Sequence, residues 1–198
     1  AEICKYKLSF NDSLLIVQGS LDSCTKAWID LKRDRELLKS LMKLYYSKVD
    51  DEKLNTLVDQ SARKAAFPYL ALNDMELMKS TEVIERKHFA DTFLNRDCTD
   101  EYYNAYLEAN DILKKATGHD DYNFGDYHDY YLLLDVVLLA VILNNFMNLN
   151  HDLNGVNPLA FLSTSSYTFN SFLKYNLKND ISKIVIPKLD VQQFVKRS

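Results

Sequence analysis

Asp135 is the residue whose neighbours demand an explanation. It stands within residues 132–143, LLLDVVLLAVIL, where every other side chain is apolar. An ionised carboxylate in such surroundings is costly unless a cation or several hydrogen-bond donors face it. Tyr131 lies four residues earlier, one helical turn away on the same face, so a phenol and a carboxyl group aim at one place. Two kinds of chemistry suit that pair. One is a Tyr to Asp, or Asp to backbone, contact inside a core. The other is a carboxylate ligand for a divalent cation with the phenol orienting a water, because hard cations take oxygen ligands.

The elements that must position this pair are mostly helical in pattern. Asp126, with Asp129 three residues on, predicts the N-terminal cap of the helix that carries Asp135. The apolar run is shorter than a bilayer requires and contains an acid, so it predicts a long helix buried on nearly all sides and no membrane association. Thr99 and Asp100 open a preceding helix that Gly118 closes, and 119–125 reads as loop. His119, Asp120, Asp121, His128 and Asp129 cluster in sequence without ligand spacing, and a capped helix entry accounts for them more simply than a metal site.

Earlier in the chain, Leu37, Leu38, Leu41, Leu44 and Tyr45 repeat at three and four residues, predicting an amphipathic helix over 34–49. Ser20 or Asp22 caps another helix over 20–31, and 6–17 reads as a strand. Residues 50–64 are a polar stretch, Phe67-Pro68-Tyr69 interrupts any helix, and 70–98 is mixed. The tail predicts a helix around 169–175 and an extended stretch at 183–187. Four glycines and three prolines leave little turn chemistry for a many-stranded fold. The expected class is therefore α+β, mostly helical, with one or two N-terminal strands and one long buried helix.

The 198 residues are 47% hydrophobic, which excludes disorder and permits one ordinary domain with a real core. Lys and Arg number 24 against 28 Asp and Glu, a net charge of -4, so no general positive field draws the chain to nucleic acid and any such contact must be local. Cys4, Cys24 and Cys98 form no CxxC pair, which suggests a reducing, intracellular compartment. The first residues do not form a charged segment followed by an apolar one, which argues against a signal peptide.

Residues 125–140, GDYHDYYLLLDVVLLA, contain Tyr131, three residues and then Asp135, and resemble the third exonuclease motif of protein-primed family B DNA polymerases. Further matches follow the family's order. Ser13-Leu14-Leu15-Ile16-Val17 resembles its Ser/Thr-Leu-x-x-hydrophobic motif, Lys64-Ala65-Ala66-Phe67 its Lys-x-x-hydrophobic motif, and Tyr69 occupies the place of a tyrosine set against single-stranded DNA. Residues 157–175 are similar to the segment leading into the polymerase palm. The resemblance implies a partial ribonuclease H-like exonuclease fold over 1–150 and a lead-in to the polymerase domain over 151–198. It implies that Asp135 binds a catalytic metal, that Tyr131 orients the attacking water and that Lys64 assists catalysis. Ser13, Leu14 and Tyr69 would meet the single-stranded DNA 3' end, and Ser13 and Leu14 the terminal protein as well. Ser13 ending a strand, Lys64 as a solvated cation and Tyr69 packing beside Pro68 are the structural alternatives.

Two cations about 4 Å apart need several converging carboxylates. The resemblance implies that the family's first two exonuclease motifs would precede residue 1 and that the palm carboxylates would follow Ser198. Asp74-Met75-Glu76 has the form of the first motif but the wrong order. The resembling family usually carries an acid at the position of Val141. Two function classes follow. In the first, the chain is part of a polymerase exonuclease region, inert alone, with Mg or Mn bound only when the missing motifs or the remainder of the polymerase complete it. In the second, it is a captured polymerase fragment kept as a non-catalytic DNA-binding, interaction or structural protein, a virion protein included, partnered by another copy or by other chains. Host nucleus, cytoplasm and virion are not distinguished by sequence.

Overall fold

A computed structural model describes residues 12–61, 65–92, 95–118 and 121–178. The described chain is mostly helical. Its α-helices are α1 (Leu21–Trp28), α2 (Leu31–Tyr45), α3 (Asp51–Ser61), α4 (Asp100–Thr117), α5 (Phe124–Asn154) and α6 (Thr164–Lys178), joined by short 3-10 turns. Among the described residues there is no strand, only an isolated antiparallel bridge between Asp91 and Arg96. Most of the strand expected over 6–17 lies outside the described residues. Its described part is a 3-10 turn, Ser13–Leu15, because the Asp12 carboxylate accepts from the Leu14 amide and folds the chain back locally. The extended stretch expected at 183–187 also lies outside them.

Two compact units are present, Val17–Phe146 and Ala1–Ile16 with Met147–Ser198. In the larger, local chemistry fixes the helix ends. Ser20 caps α1 by accepting from the Ser23 amide, and Asp30 caps α2 by accepting from the Lys32 amide. Thr99 does the same for α4 from the Tyr102 amide, and Gly118 ends α4 at φ 67, the left-handed region that glycine enters without strain. Residues 51–61, expected to be a polar connection, form α3 instead. Leu54, Leu57 and Val58 recur at three and four residues, and burying that stripe outweighs the charged remainder.

The core of this unit joins Leu38 and Met42 of α2, Leu54, Leu57 and Val58 of α3, Tyr106 and Leu113 of α4, and Tyr127, Leu134, Leu138 and Val141 of α5. The entry of α5 lies earlier than Asp126. Asn123 accepts from the Gly125 amide, and Asp126 reaches back to accept from the Asn123 amide, a reciprocal pair that makes Asn123 the cap. The expectation of a helix buried on nearly all sides is corrected as well: Leu132 is 49% and Val136 66% exposed, so one face of α5 is open. At 31 residues α5 is also long and apolar enough by length and composition to cross a membrane, so the shortness of the 132–143 run does not decide that question.

The fully enclosed acid is Asp34, not Asp135. Burial by itself would raise its carboxyl, but hydrogen bonds from the Arg33 guanidinium, the Asp30 amide and Asn145 Nδ2 together hold it below the usual range. Arg33 and Asn145 also both donate to the Trp28 carbonyl, so a single cluster fastens the α1–α2 junction to α5.

In the smaller unit, Gly155 at φ 63 ends α5. Tyr167 donates to Asn150 at 3.0 Å and accepts from Asn154 at 2.6 Å, fixing the start of α6 against the end of α5. Thr164 Oγ1 donates to the Ile16 carbonyl at 2.9 Å, holding the Ser13–Leu15 turn nearby. The α6 helix turns Tyr167, Ser171 and Asn176 inward and leaves Phe169, Phe172, Tyr175 and Leu177 exposed.

Removing the Asp34 carboxylate deprives the Arg33 guanidinium, the Asp30 amide and Asn145 Nδ2 of their shared acceptor, so Asp34→Ala should cost about 1–2 kcal/mol in urea unfolding at pH 7. Because folding depresses this carboxyl's proton affinity, its stabilisation is complete above an unfolded value near about 3.9 and drains away as the pH falls below it. The Asp34→Asn variant should therefore lose less stability than the parent between about pH 5 and pH 2. An equal acid dependence in both would remove Asp34 from this account.

Candidate functional site

Residues 65–69 carry the candidate site because their backbone is irregular and must be satisfied by side chains. The Tyr127 hydroxyl donates to the Ala66 carbonyl at 2.7 Å, and the Phe67 amide donates to the Tyr102 hydroxyl at 3.1 Å. These two bonds press the segment onto α5. Phe67 then stacks on Tyr131, with ring centroids 4.4 Å apart and planes at 30°. Pro68 cannot continue a regular ladder, and the chain turns so that Tyr69 comes back over the same helix.

Tyr69 and Tyr131, 62 positions apart, share a hydrogen bond between their hydroxyls at 2.7 Å, and their rings meet edge to face at 6.3 Å. Tyr131 is buried, whereas Tyr69 is 54% exposed. The pair therefore joins the interior of α5 to an accessible aromatic surface. Burial, the bond from Tyr69 and the nearby Asp135 charge all push the Tyr131 phenol well above its ordinary range, so it stays protonated at neutral pH. That effect puts the Asp135 carboxylate within electrostatic reach of the Tyr131 hydroxyl. Asp135 itself is half-buried, not enclosed as the apolar run suggested. Leu132 and Val136, which lie together to one side of it around the helix, are exposed.

Three of the residues singled out by sequence, Tyr69, Tyr131 and Asp135, are thus brought together. Lys64 lies outside the described residues. Ser13 and Leu14 belong to the smaller unit, where Ser13 is half-buried at the start of the 3-10 turn and Leu14 is exposed. Asp74 and Glu76 are exposed on a turn in which Asp74 accepts from the Glu76 amide. His128 and Asp129 contact each other at 3.2 Å, and Asp129 also accepts from Tyr45, a local arrangement on the flank of α5. Phe67 and Tyr102 are site residues that sequence reasoning passed over. Phe67 was visible as an aromatic directly before a proline, but nothing in spacing announces that Tyr102 supplies its backbone partner.

Chemically, the arrangement offers a ring face, a protonated phenol and one carboxylate. Among the described residues no group of three His, Cys, Asp or Glu side chains converges to hold a metal ion. The donor set around Asp135 does not fit a pair of divalent cations, and no hydrolytic step is derived through them. Val141, further along α5, is fully buried in the core.

The hydroxyl pair can be tested directly. Tyr69→Phe leaves the buried Tyr131 hydroxyl without this partner and should cost about 1–2 kcal/mol, and the Tyr69→Phe, Tyr131→Phe double variant should recover part of that loss. Denaturant unfolding of all four proteins gives the coupling, and strict additivity would mean that the bond contributes nothing. No protein-family model, curated protein or solved structure matches this chain.

Proposed function

We propose that this chain is a portion of the 3'-5' exonuclease region of a protein-primed family B DNA polymerase, and that its own contribution is to receive a single-stranded DNA 3' end. The observation that carries this reading is the Tyr69–Tyr131 contact. Both residues were singled out separately by motif resemblance, lie far apart in sequence, and are hydrogen-bonded beside Asp135. Tyr69 supplies an exposed ring on which a terminal base stacks, a contact that needs no base-specific hydrogen bonds. Tyr131 holds that ring in place. Asp135 stands one turn further along α5, as one carboxylate of a metal site whose other ligands come, on this reading, from polymerase sequence not present in these 198 residues. The finer expectation of a ribonuclease H-like fold belongs to the same proposal, with strands supplied from the same source.

A second reading is favoured by Val141. A fully buried valine in place of an acid is a core-packing choice, and it suits a polymerase-derived protein kept for binding or structure and not for hydrolysis. The two readings share the DNA contact and differ in whether Asp135 ever meets a metal.

Anisotropy of a labelled single-stranded oligonucleotide tests the shared part. The full chain should bind with a salt-sensitive affinity, and Tyr69→Ala should weaken binding by about 5- to 100-fold, the span of one lost base stack. In the same samples, with Mg or Mn added, the oligonucleotide should remain intact. Equal binding by Tyr69→Ala would overturn the DNA-end assignment. Degradation that Asp135→Ala abolishes would overturn the inertness of the chain.

A further inference from the structure

Next to the Phe67–Tyr69 segment, but on the side away from α5, the larger unit contains a cavity of about 590 Å³ lined by residues from 67–70, 89–92 and 96–102. Neither Tyr131 nor Asp135 borders it. Its size is that of a small-molecule site. The walls are aromatic and set at steep angles: Phe67 and Tyr69 meet at 68° with centroids 5.1 Å apart, and Phe89 and Tyr102 meet at 80° and 6.2 Å. Rings held in this way present faces and edges to whatever enters, which favours a flat aromatic guest over a flexible aliphatic chain.

The polar groups narrow the chemistry further. Tyr102 Oη accepts from the Phe67 amide and retains its own proton, which burial makes hard to lose, so it can donate to a ring nitrogen. At the rim, Asp97 is an exposed carboxylate that can accept from an amino group. Asp91 adds a second carboxylate against the single guanidinium of Arg96, so the charge at the mouth leans negative. The first turn of the adjoining helix α4 adds Glu101 and an Asp100 that is ion-paired with Arg86, so two guanidinium groups face four carboxylates around the mouth. A phosphate would meet repulsion on that side.

We propose that this cavity binds a flat heteroaromatic ligand that carries amino donors and no anionic group, the chemistry of an unphosphorylated nucleobase or nucleoside. The inference rests on the cavity and not on the polymerase reading, although Tyr69 borders both the cavity and the proposed DNA-end surface.

The fluorescent nucleoside 2-aminopurine 2'-deoxyriboside is a direct probe, because stacking on aromatic rings quenches it. Titrating the full chain should give saturable quenching that adenosine reverses and octanoate does not. The 5'-monophosphate of the same probe should bind at least about fivefold more weakly at low salt. Ala90→Trp fills the cavity from its half-buried lining and should abolish quenching while thermal unfolding remains cooperative. Asp97→Asn, at the exposed rim, should narrow the gap between nucleoside and monophosphate, and this comparison stands even if the tryptophan variant misfolds. The proposal is overturned by absent quenching, by equal or tighter binding of the monophosphate, or by unchanged binding to a folded Ala90→Trp variant. Failure of oligonucleotide binding alone would leave it intact.

Discussion

Backbone amides and carbonyls taken out of water must find partners, and at Ala66, Phe67 and Ile84, between the local turns, that obligation falls on tyrosine hydroxyls. Tyr127 satisfies the Ala66 carbonyl and Tyr102 the Phe67 amide, while Tyr106 accepts from the Ile84 amide and Tyr103 donates to the Ile84 carbonyl. All four phenols stand on α4 or α5. Two regular helices therefore act as a comb into which an irregular segment is laid. Its shape is set by its own short 3-10 turns together with where the hydroxyls fall. The stacking of Phe67 on Tyr131, the return of Tyr69 and the cavity behind them all follow from that fastening. Burial holds Tyr102, Tyr106 and Tyr127 in the protonated form, as the bonds that Tyr127 donates and Tyr102 retains the proton to donate both require.

Where sequence reasoning succeeded, the controlling chemistry was local. Thr99 and Gly118 bracket α4 because a hydroxyl acceptor and a residue free to take positive φ each act within one turn. Ser20 worked in the same way for α1. Charge obscured α3: Leu54, Leu57 and Val58 carry the helical spacing, but the surrounding Asp, Glu, Lys and Gln made the stretch read as solvated connection. At α5 the residue chosen as cap, Asp126, is the reciprocal partner three positions on, and the true cap is Asn123. Between 70 and 98 no periodicity exists to be read, since the segment is held by partners from other helices. The meeting of Tyr69 with Tyr131 belongs to that class, because neither spacing nor propensity joins positions 62 apart.

The two acids of the larger unit show why an apolar sequence neighbourhood is a poor guide to burial. Asp135 sits among leucines and valines, yet the helix turns Leu132 and Val136 outward beside it and leaves it half-buried. Asp34 sits among lysines and arginines, yet it is enclosed and met by Arg33, Asn145 and the Asp30 amide. A charge-rich local sequence supplied the cation that makes enclosure tolerable. Asp135 keeps contact with solvent, and Asp34 ties the α1–α2 junction to α5 through Asn145.

The α6 helix inverts the usual sorting of side chains. Ser171 and Asn176 are turned inward while Phe169, Phe172, Tyr175 and Leu177 meet the solvent. In a dilute aqueous buffer such a surface behaves as an adhesive. Retention on phenyl media will draw on this stretch, since four large apolar side chains are exposed within nine residues of one helix.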